Sequence, residues 1–336
     1  MNSAMRQLSV RHIISILLLG LCLVSIRPQL TQAQDSQVEL SSWMDALQQD
    51  ALAAGIRQET LDRALSSVQL LDWIIKADRN QPEFKKSLDS YLAGVLSDER
   101  ISRGRQLLAE NDKLLGKIAL RYKVQPRFIV ALWGIETYYG KHTGKVPIID
   151  ALVTLAYDGR RSAYFRTELL NALKIIDAGH INYEQMLGSW AGAMGQVQFM
   201  PSSFLRYAVD GNADGRIDLW KTPEDYLSSA ANYLAQMGWH GNQTWGREVI
   251  PLARVDGKLI GLNKTAPLRH WQEAGVRLVD GADLPKSRMR ASVLQPEGPA
   301  GRTFLVYENY QALLKWNRAH SFAIAVGMLA DRLRVE

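Results

Sequence analysis

The sequence predicts a mainly helical α+β protein, and three observations carry that prediction. Apolar residues recur at helical spacing over most of the 336 residues. Between Arg247 and Phe304 the pattern changes to short β-like runs separated by glycine- and proline-rich turns. One uncharged stretch, Gly188–Phe204, follows neither period. A chain of this length buries a substantial core and divides into two or three lobes.

At the start, Arg6 and Arg11 precede the apolar run Ile13–Ile26, and Thr31-Gln32-Ala33 offers a small-residue cleavage site. Residues 1–33 therefore read as an export signal, since the run is too short and poorly flanked to span a membrane. Cys22 follows Leu21, where a lipoprotein signal needs a small residue, which argues against lipidation. The signal holds three arginines and no acid, so the formal charge of +6 falls to +3 in the mature chain. So mild a charge, with no basic stripe interleaved by aromatics, excludes nucleic acid as a partner. The only cysteine leaves with the signal, so the exported chain has no disulfide. The six histidines show no zinc-ligand spacing.

Residues 34–125 read as a helical N-terminal lobe. Val38, Leu40, Trp43, Met44 and Leu47 recur at helical spacing, as do Leu107, Leu114, Leu115, Ile118 and Tyr122. Gly55 punctuates the lobe, and Asp78–Phe84 is expected to turn because Pro82 disfavours helix at Gln81. Residues 126–246 form the next lobe. Pro126 opens a helix that runs to Gly140 and sets Phe128, Leu132, Ile135 and Tyr139 on one face, with Glu136 among them. Helices follow at Ile148–Tyr157, Ser162–Ala178, Pro201–Val209 and Asp225–Met237, with Arg160-Arg161 solvated or paired. Residues 247–304 form a small β lobe with strands at Arg247–Ala253, Ala291–Leu294 and Thr303–Val306. Residues 305–336 return to helix at Tyr310–Lys315 and Ser321–Leu333, where Phe322, Val326, Leu329 and Leu333 make a core stripe.

Three features carry chemistry. A carboxyl on an apolar helix face has its charged form desolvated, so the pKa of Glu136 should rise, as protonating a leaving-group oxygen requires. The alternative is a helix-end glutamate that reaches water or pairs with Lys141 or an arginine. Gly188–Phe204 is either a ligand-contacting surface, its glycines admitting close approach and its amides gripping hydroxyls, or a glycine-rich loop before a helix. In Asp210–Trp220, Asp210, Asn212, Asp214 and Gly215 match the first half of an EF-hand loop, and Arg216 offers its carbonyl. Lys221 stands where the closing glutamate belongs, so Glu224 or Asp225 would close a structural calcium site. A metal-free Asx turn is the alternative.

Taken in order, ALWGIETYYG, AGAMGQVQFMPSSF, DGNADGRIDLW and SSAANYLAQMGW resemble the lytic murein transglycosylase B family, from about Leu40 to the C-terminus. The resemblance implies a lysozyme-like helical core flanked by a helical lobe and a small β lobe, with peptidoglycan glycan strands in the cleft between them. It implies a periplasmic monomer that needs no cofactor for chemistry and leaves other cell-wall enzymes open as partners. It implies cleavage of the β-1,4 bond between N-acetylmuramic acid and N-acetylglucosamine, with Glu136 as sole catalytic acid/base. Ser189 and Gln198 match glycan-contacting residues, with Phe199 and Met200 lining the groove. Tyr233 and Asn317 match two further contacts, and Phe322 stands where the family often has tyrosine. Asp210, Asn212, Asp214 and Arg216 match the family's calcium loop. An extra residue after Trp220 shifts its closing position to Asp225, which keeps the family's distance to Ala231-Asn232-Tyr233.

The residues agree on one point by themselves. Ordinary glycosidases flank the bond with two carboxylates, yet the uncharged stretch offers Glu136 no acid. A single carboxyl suffices if the substrate's N-acetyl group and O6 hydroxyl supply the rest. The rivals are a muramidase, in which Asp150 or Glu168 comes near by folding, and a catalytically silent peptidoglycan-binding scaffold.

Overall fold

The computed structural model describes residues 27–80, 87–252 and 255–334. The chain divides into two units after Leu61. In the first, a helix runs over Arg27–Ala53 and buries Leu47 and Ala51, one turn apart. Val38, expected on the same apolar stripe, is 61% exposed and belongs to no core. Gly55 ends the helix in the left-handed region, and the N–H of Ile56 reaches back to the carbonyl of Ala51. The expected signal lies outside the described residues as far as residue 26, and Thr31-Gln32-Ala33 falls within this helix. No helix among the described residues is long and apolar enough to cross a membrane.

The second unit is built on the helix Pro126–Thr137. The apolar spacing predicts one buried face for this helix, but Phe128 through Gly134 are all buried, as is Thr137. A helix apolar all round belongs inside a bundle. It packs against Asp98–Glu110, Asp112–Tyr122, Pro223–Gln236 and His320–Arg332. The helix also ends three residues before Gly140. Tyr138 and Tyr139 take left-handed backbone with φ of 53° and 58°, and their N–H groups close on the carbonyls of Gly134 and Trp133. Such backbone is costly for bulky residues and persists only where packing holds it. Here the Tyr139 hydroxyl donates to the Arg100 carbonyl at 2.9 Å, and its ring lies where a Cβ on Gly134 would stand.

Six further helices lie within two residues of their expected bounds at each end: Ile148–Tyr157, Ser162–Asp177, Pro201–Tyr207, Pro223–Gln236, Glu308–Trp316 and His320–Arg332; the short helix Leu268–Glu273, among the strands of the β lobe, was not anticipated. Phe322, Val326, Leu329 and Leu333 are all buried, as expected of core. Of the expected turn, Asp78–Asn80 instead end the helix Asp72–Asn80, and residues 81–86 are outside the described set. Arg160 pairs with the buried carboxylate of Asp78.

Two sheets complete the fold. A two-stranded pair, β1 (Val146–Pro147) and β2 (Leu187–Gly188), escaped the sequence reading because two residues carry no alternation. The larger sheet has β3 (Gly246–Pro251), β4 (Thr265–Pro267), β5 (Val276–Leu278), β6 (Arg290–Leu294) and β7 (Thr303–Val306). It is antiparallel in the order β4-β6-β7-β3-β5. The three longer strands match the expected runs, although the expected end at 253 lies outside the described residues; the short edge strands β4 and β5 were not anticipated. Val249, Trp271, Val293 and Leu305 belong to this lobe's own core.

Gly327 shows how tightly the bundle closes. A Cβ there would stand 2.1 Å from Cδ2 of the fully buried Trp245, whose indole N–H donates to Asp331 at 2.8 Å. The other oxygen of Asp331 holds Arg127 at the start of the central helix, 2.6 Å away. Gly327→Ala is expected to destabilise the fold by about 1–3 kcal/mol through overpacking. Urea denaturation measures this; an unchanged midpoint would refute the packing argument.

Candidate active site

Glu136 is the second-last residue of the central helix. Its Oε1 accepts the indole N–H of Trp316 at 2.6 Å. The residue keeps some solvent access, but its carboxyl is the enclosed part. Burial pushes that carboxyl from the ordinary 4.5 up to about 8, against the opposing pull of the Trp316 N–H. At neutral pH the group is mostly protonated. One oxygen is fixed by the indole, which leaves the other to carry the proton.

Trp316 is itself held from behind. The Tyr233 ring meets it edge-on at 4.7 Å, and the Phe199 ring lies 5.3 Å away. The Tyr233 hydroxyl donates to the carbonyl of Lys315 at 2.6 Å, tying the helix Pro223–Gln236 to the end of Glu308–Trp316. Burial pushes that phenol up to about 12, so it stays a donor. Phe199 and Tyr233, expected against sugar, are thus both buried and brace the tryptophan that touches Glu136. Asn317 follows Trp316, is exposed, and uses its Oδ1 to accept the N–H of Ala319 at 3.0 Å.

The stretch Gly188–Phe204 folds into two tight loops rather than a slack one. Ser189 accepts the Ala193 N–H on its Oγ at 3.0 Å, and Ser189 and Ala193 also bond through their backbones. Met194 and Phe199 exchange both backbone bonds around a turn in which Gly195 and Gln198 have φ of 69° and 50°. The Gln198 amide nitrogen donates to the carbonyls of Thr143 and Gly195, at 3.1 and 3.0 Å. Only an NH₂ group can face two carbonyls, so the amide orientation is fixed and Oε1 remains an acceptor. Met200 stands half-buried at the start of the helix Pro201–Tyr207.

Gln196, named by no sequence argument, binds the site together. Its Oε1 accepts the Trp133 indole N–H at 2.7 Å, its Nε2 donates to the Trp220 carbonyl at 3.0 Å, and its own carbonyl accepts the Thr137 hydroxyl at 2.8 Å. Trp133 and Thr137 flank Glu136 on the central helix. The local signal for Gln196 was its place in the uncharged stretch. Trp316 had none beyond adjacency to Asn317.

The two carboxyls proposed as a second acid have other partners. Glu168 is 3% exposed and caps the helix Pro201–Tyr207, accepting the N–H and hydroxyl of Ser202 at 2.8 and 2.6 Å. Burial pushes the Asp150 carboxyl up, opposed by the backbone N–H of Gln69.

The DGNADG loop is shaped by its own side chains. Asp210 accepts the N–H groups of Ala213, Asp214 and Gly215, and Asn212 and Asp214 meet at 2.9 Å. Asp225, 1% exposed, accepts the Gly211 N–H on one oxygen and the Asp218 N–H on the other, both at 2.7 Å. Among the described residues, no three His, Cys, Asp or Glu side chains converge closely enough to hold a metal. The loop therefore fits calcium in part. Asp210, Asn212 and Asp214 are gathered at one end, whereas Asp225 clasps the loop through backbone N–H groups. Each Asp225 oxygen keeps a second lone pair for a cation.

A lone, protonated carboxyl at the end of a buried helix, braced by an indole and faced by an uncharged amide-rich stretch, is an acid-catalytic arrangement for glycan chemistry. Residues 39–331 match the transglycosylase SLT domain family, and the chain belongs to it, within the lytic murein transglycosylase B group. It is 29% identical over 289 residues to membrane-bound lytic murein transglycosylase B of Escherichia coli (strain K12), covering 82% of this chain and 78% of that protein. Its fold matches SltB3 of Pseudomonas aeruginosa in complex with NAG-NAM-pentapeptide, with a TM-score of 0.84, 44% identity, and 87% and 79% of the two chains covered. The NAG-anhNAM-pentapeptide complex of SltB3 matches at 0.83 and 45% identity, covering 87% and 78%. Slt35 of Escherichia coli in complex with calcium matches at 0.73 and 27% identity, covering 88% and 92%.

The raised pKa has a consequence for stability. Between about 4.5 and about 8 the folded chain holds a proton on Glu136 that the unfolded chain releases, so stability falls as pH rises through that window. Glu136→Gln removes the penalty and keeps an acceptor for Trp316. It is expected to stabilise the fold by up to about 5 kcal/mol above pH 8 and by almost nothing at pH 4. Denaturant melts at both pH values measure this, and a gain that did not vary with pH would contradict it.

Proposed function

We propose that this lytic transglycosylase cleaves the β-1,4 bond between N-acetylmuramic acid and N-acetylglucosamine in peptidoglycan and leaves 1,6-anhydromuramic acid ends, in cell-wall remodelling and turnover. The observation that carries the reading is the single carboxyl. Glu136 is raised toward neutrality and held by Trp316, while Glu168 and the uncharged stretch offer no second acid. SltB3 bound to NAG-anhNAM-pentapeptide supports the same outcome.

The reaction has two steps. Protonated Glu136 gives its proton to the glycosidic oxygen as the C1–O4 bond breaks, and the substrate's own acetamido carbonyl supports the charge that develops at C1. Ionised Glu136 then takes the proton from the muramyl O6 hydroxyl as O6 bonds to C1. The carboxyl ends as it began and no water is consumed. Hydrogen bonding to Oε1 stabilises the carboxylate between the steps, which is the part Trp316 plays. The free Oε1 of Gln198, the Ser189 hydroxyl and the Asn317 amide orient acetamido and hydroxyl groups on the glycan, with Met200 beside them; Phe199 and Tyr233 act through Trp316.

Asp210, Asn212, Asp214, the Arg216 carbonyl and Asp225 would hold calcium, which supplies a structural clasp and no chemistry. The protein works as a monomer in the periplasm, exported by residues 1–33.

Mass spectrometry of digested sacculi tests the reaction. Anhydro-muropeptides are expected; reducing ends would instead indicate a hydrolase, and no release a binding scaffold. Glu136→Gln should lower turnover at least about 1,000-fold. Because the first step needs the proton on Glu136, activity should fall as pH rises through about 8. Trp316→Phe removes the donor that holds this pKa down, so the alkaline limb should move to higher pH while kcat drops; a limb that stayed in place would count against the role given to Trp316. For calcium, the melting temperature should rise with the ion and fall with chelator, and an unchanged value would remove the ion from the account.

A further inference from the structure

Trp316 holds the tip of the Glu136 side chain, but one hydrogen bond to one oxygen does not place the helix turn that carries it. That turn is gripped on both sides of Glu136 by Gln196. Trp133, three residues before Glu136, gives its indole N–H to the Gln196 amide oxygen at 2.7 Å. Thr137, the next residue after it and 1% exposed, gives its hydroxyl proton to the Gln196 backbone carbonyl at 2.8 Å. The same hydroxyl accepts the Gly140 N–H at 3.0 Å, which closes the turn beyond the helix.

Gln196 is itself anchored to a third segment. Its backbone N–H donates to the Leu219 carbonyl at 2.8 Å and its amide nitrogen to the Trp220 carbonyl at 3.0 Å. Two glycines make room for it. A Cβ on Gly195 would stand 2.5 Å from the Leu219 carbonyl, and one on Gly140, where φ is 86°, would overlap the Gln196 amide oxygen. The Trp133 ring is closed in by Tyr139 and Tyr226, at 5.7 and 5.2 Å, so its N–H has one direction to point. The two partners of the side chain differ in kind. The indole needs an acceptor and the Trp220 carbonyl needs a donor, and an amide serves both at once. An ionised carboxylate would meet the indole and repel the carbonyl; a thioether of the same length would leave both without a strong partner.

We propose that Gln196 is a positioning residue for the reaction, holding the last turn of the central helix so that the free oxygen of Glu136 stays aimed at the glycan. The proposal rests on the glycan-cleaving reading. One carboxyl has to face the glycosidic oxygen in the first step and the O6 hydroxyl in the second. A misplacement of about 1 Å costs on the order of 100-fold in rate, so the turn beneath that carboxyl has to be fixed. Gln198 faces the other way from the same loop, giving its amide nitrogen to the carbonyls of Thr143 and Gly195 and keeping its oxygen as an acceptor. The two glutamines thus divide the work, Gln196 toward the helix and Gln198 toward the sugar.

The test measures kcat and KM for release of anhydro-muropeptides by the full exported chain. Gln196→Met should lower kcat about 10- to 100-fold and leave KM within about twofold. Trp133→Phe removes the same bond from its other end, so the double variant should fall no more than about threefold below the worse single one. Gln196→Glu separates positioning from folding, and it decides the matter if the methionine variant does not fold. Protonated, the introduced carboxyl has both a donor and an acceptor and restores the two bonds; ionised, it loses the donor. Its kcat relative to the wild type should therefore rise about tenfold or more as pH falls from 8 to 5, with melting temperatures above the assay temperature throughout. An unchanged kcat in Gln196→Met, a loss confined to KM, losses that multiply in the double variant, or a ratio for Gln196→Glu that does not vary with pH would each overturn the role of Gln196. If the wild type releases no anhydro-muropeptides, the glycan-cleaving reading itself fails.

Discussion

The hydrogen bond from Trp316 to Glu136 is the contact on which the rest of the site depends. It joins the central helix to the last residue of Glu308–Trp316, a helix 180 positions later in the chain. Burial and this bond act in opposite directions on the carboxyl. Burial favours the neutral acid and the Trp316 bond favours the carboxylate, whereas full exposure would leave the group ionised and useless as an acid. The balance sits at about 8, where a proton can be given and retrieved by the same side chain. A one-carboxyl mechanism needs that property, because no second group takes over when the first has reacted.

Much of the surrounding structure serves to hold the two partners in place. Tyr233 and Phe199 fix the indole plane, and the Tyr233 hydroxyl anchors the end of the helix that presents it. On the other side, Thr137, Trp133 and Gln196 pin the last turn of the central helix to the uncharged loops and to the segment that follows the DGNADG loop. The left-handed backbone of Tyr138 and Tyr139 belongs to the same design. The helix stops one residue after Glu136, and packing against Arg100 and Gly134 offsets the strain of stopping it with tyrosines.

Glu136 was legible because a carboxyl within an apolar helical run is a conflict that chemistry has to resolve. Gln198 and Ser189 were legible as polar groups in an uncharged, glycine-bearing stretch. Most helices from Ile148 onward were legible from period, to within two residues, whereas the end of the central helix and the short helix Leu268–Glu273 were not. Trp316 and Gln196 were not. Tryptophan and glutamine at those positions fit an ordinary buried ring and an ordinary loop amide, and only their long-range partners give them roles. Phe199 and Tyr233 were expected against sugar, but both are buried and pack on the Trp316 ring. Glu168 shows the converse: a candidate acid by residue type, it is committed as a helix cap across 34 positions of chain.

The sequence by itself determined the helical framework, the small β-containing lobe, the carboxyl set on an apolar helix and the family to which these belong. Each is written locally, in periodicity, turn residues and short motifs, because backbone propensity and amphipathic spacing act over a few residues. Tertiary structure alone decided which indole meets Glu136, that the central helix is buried all round, and that Asp225 clasps the DGNADG loop through its backbone. These depend on contacts between distant segments, and a side chain's partner, burial and proton affinity are set by what folds against it.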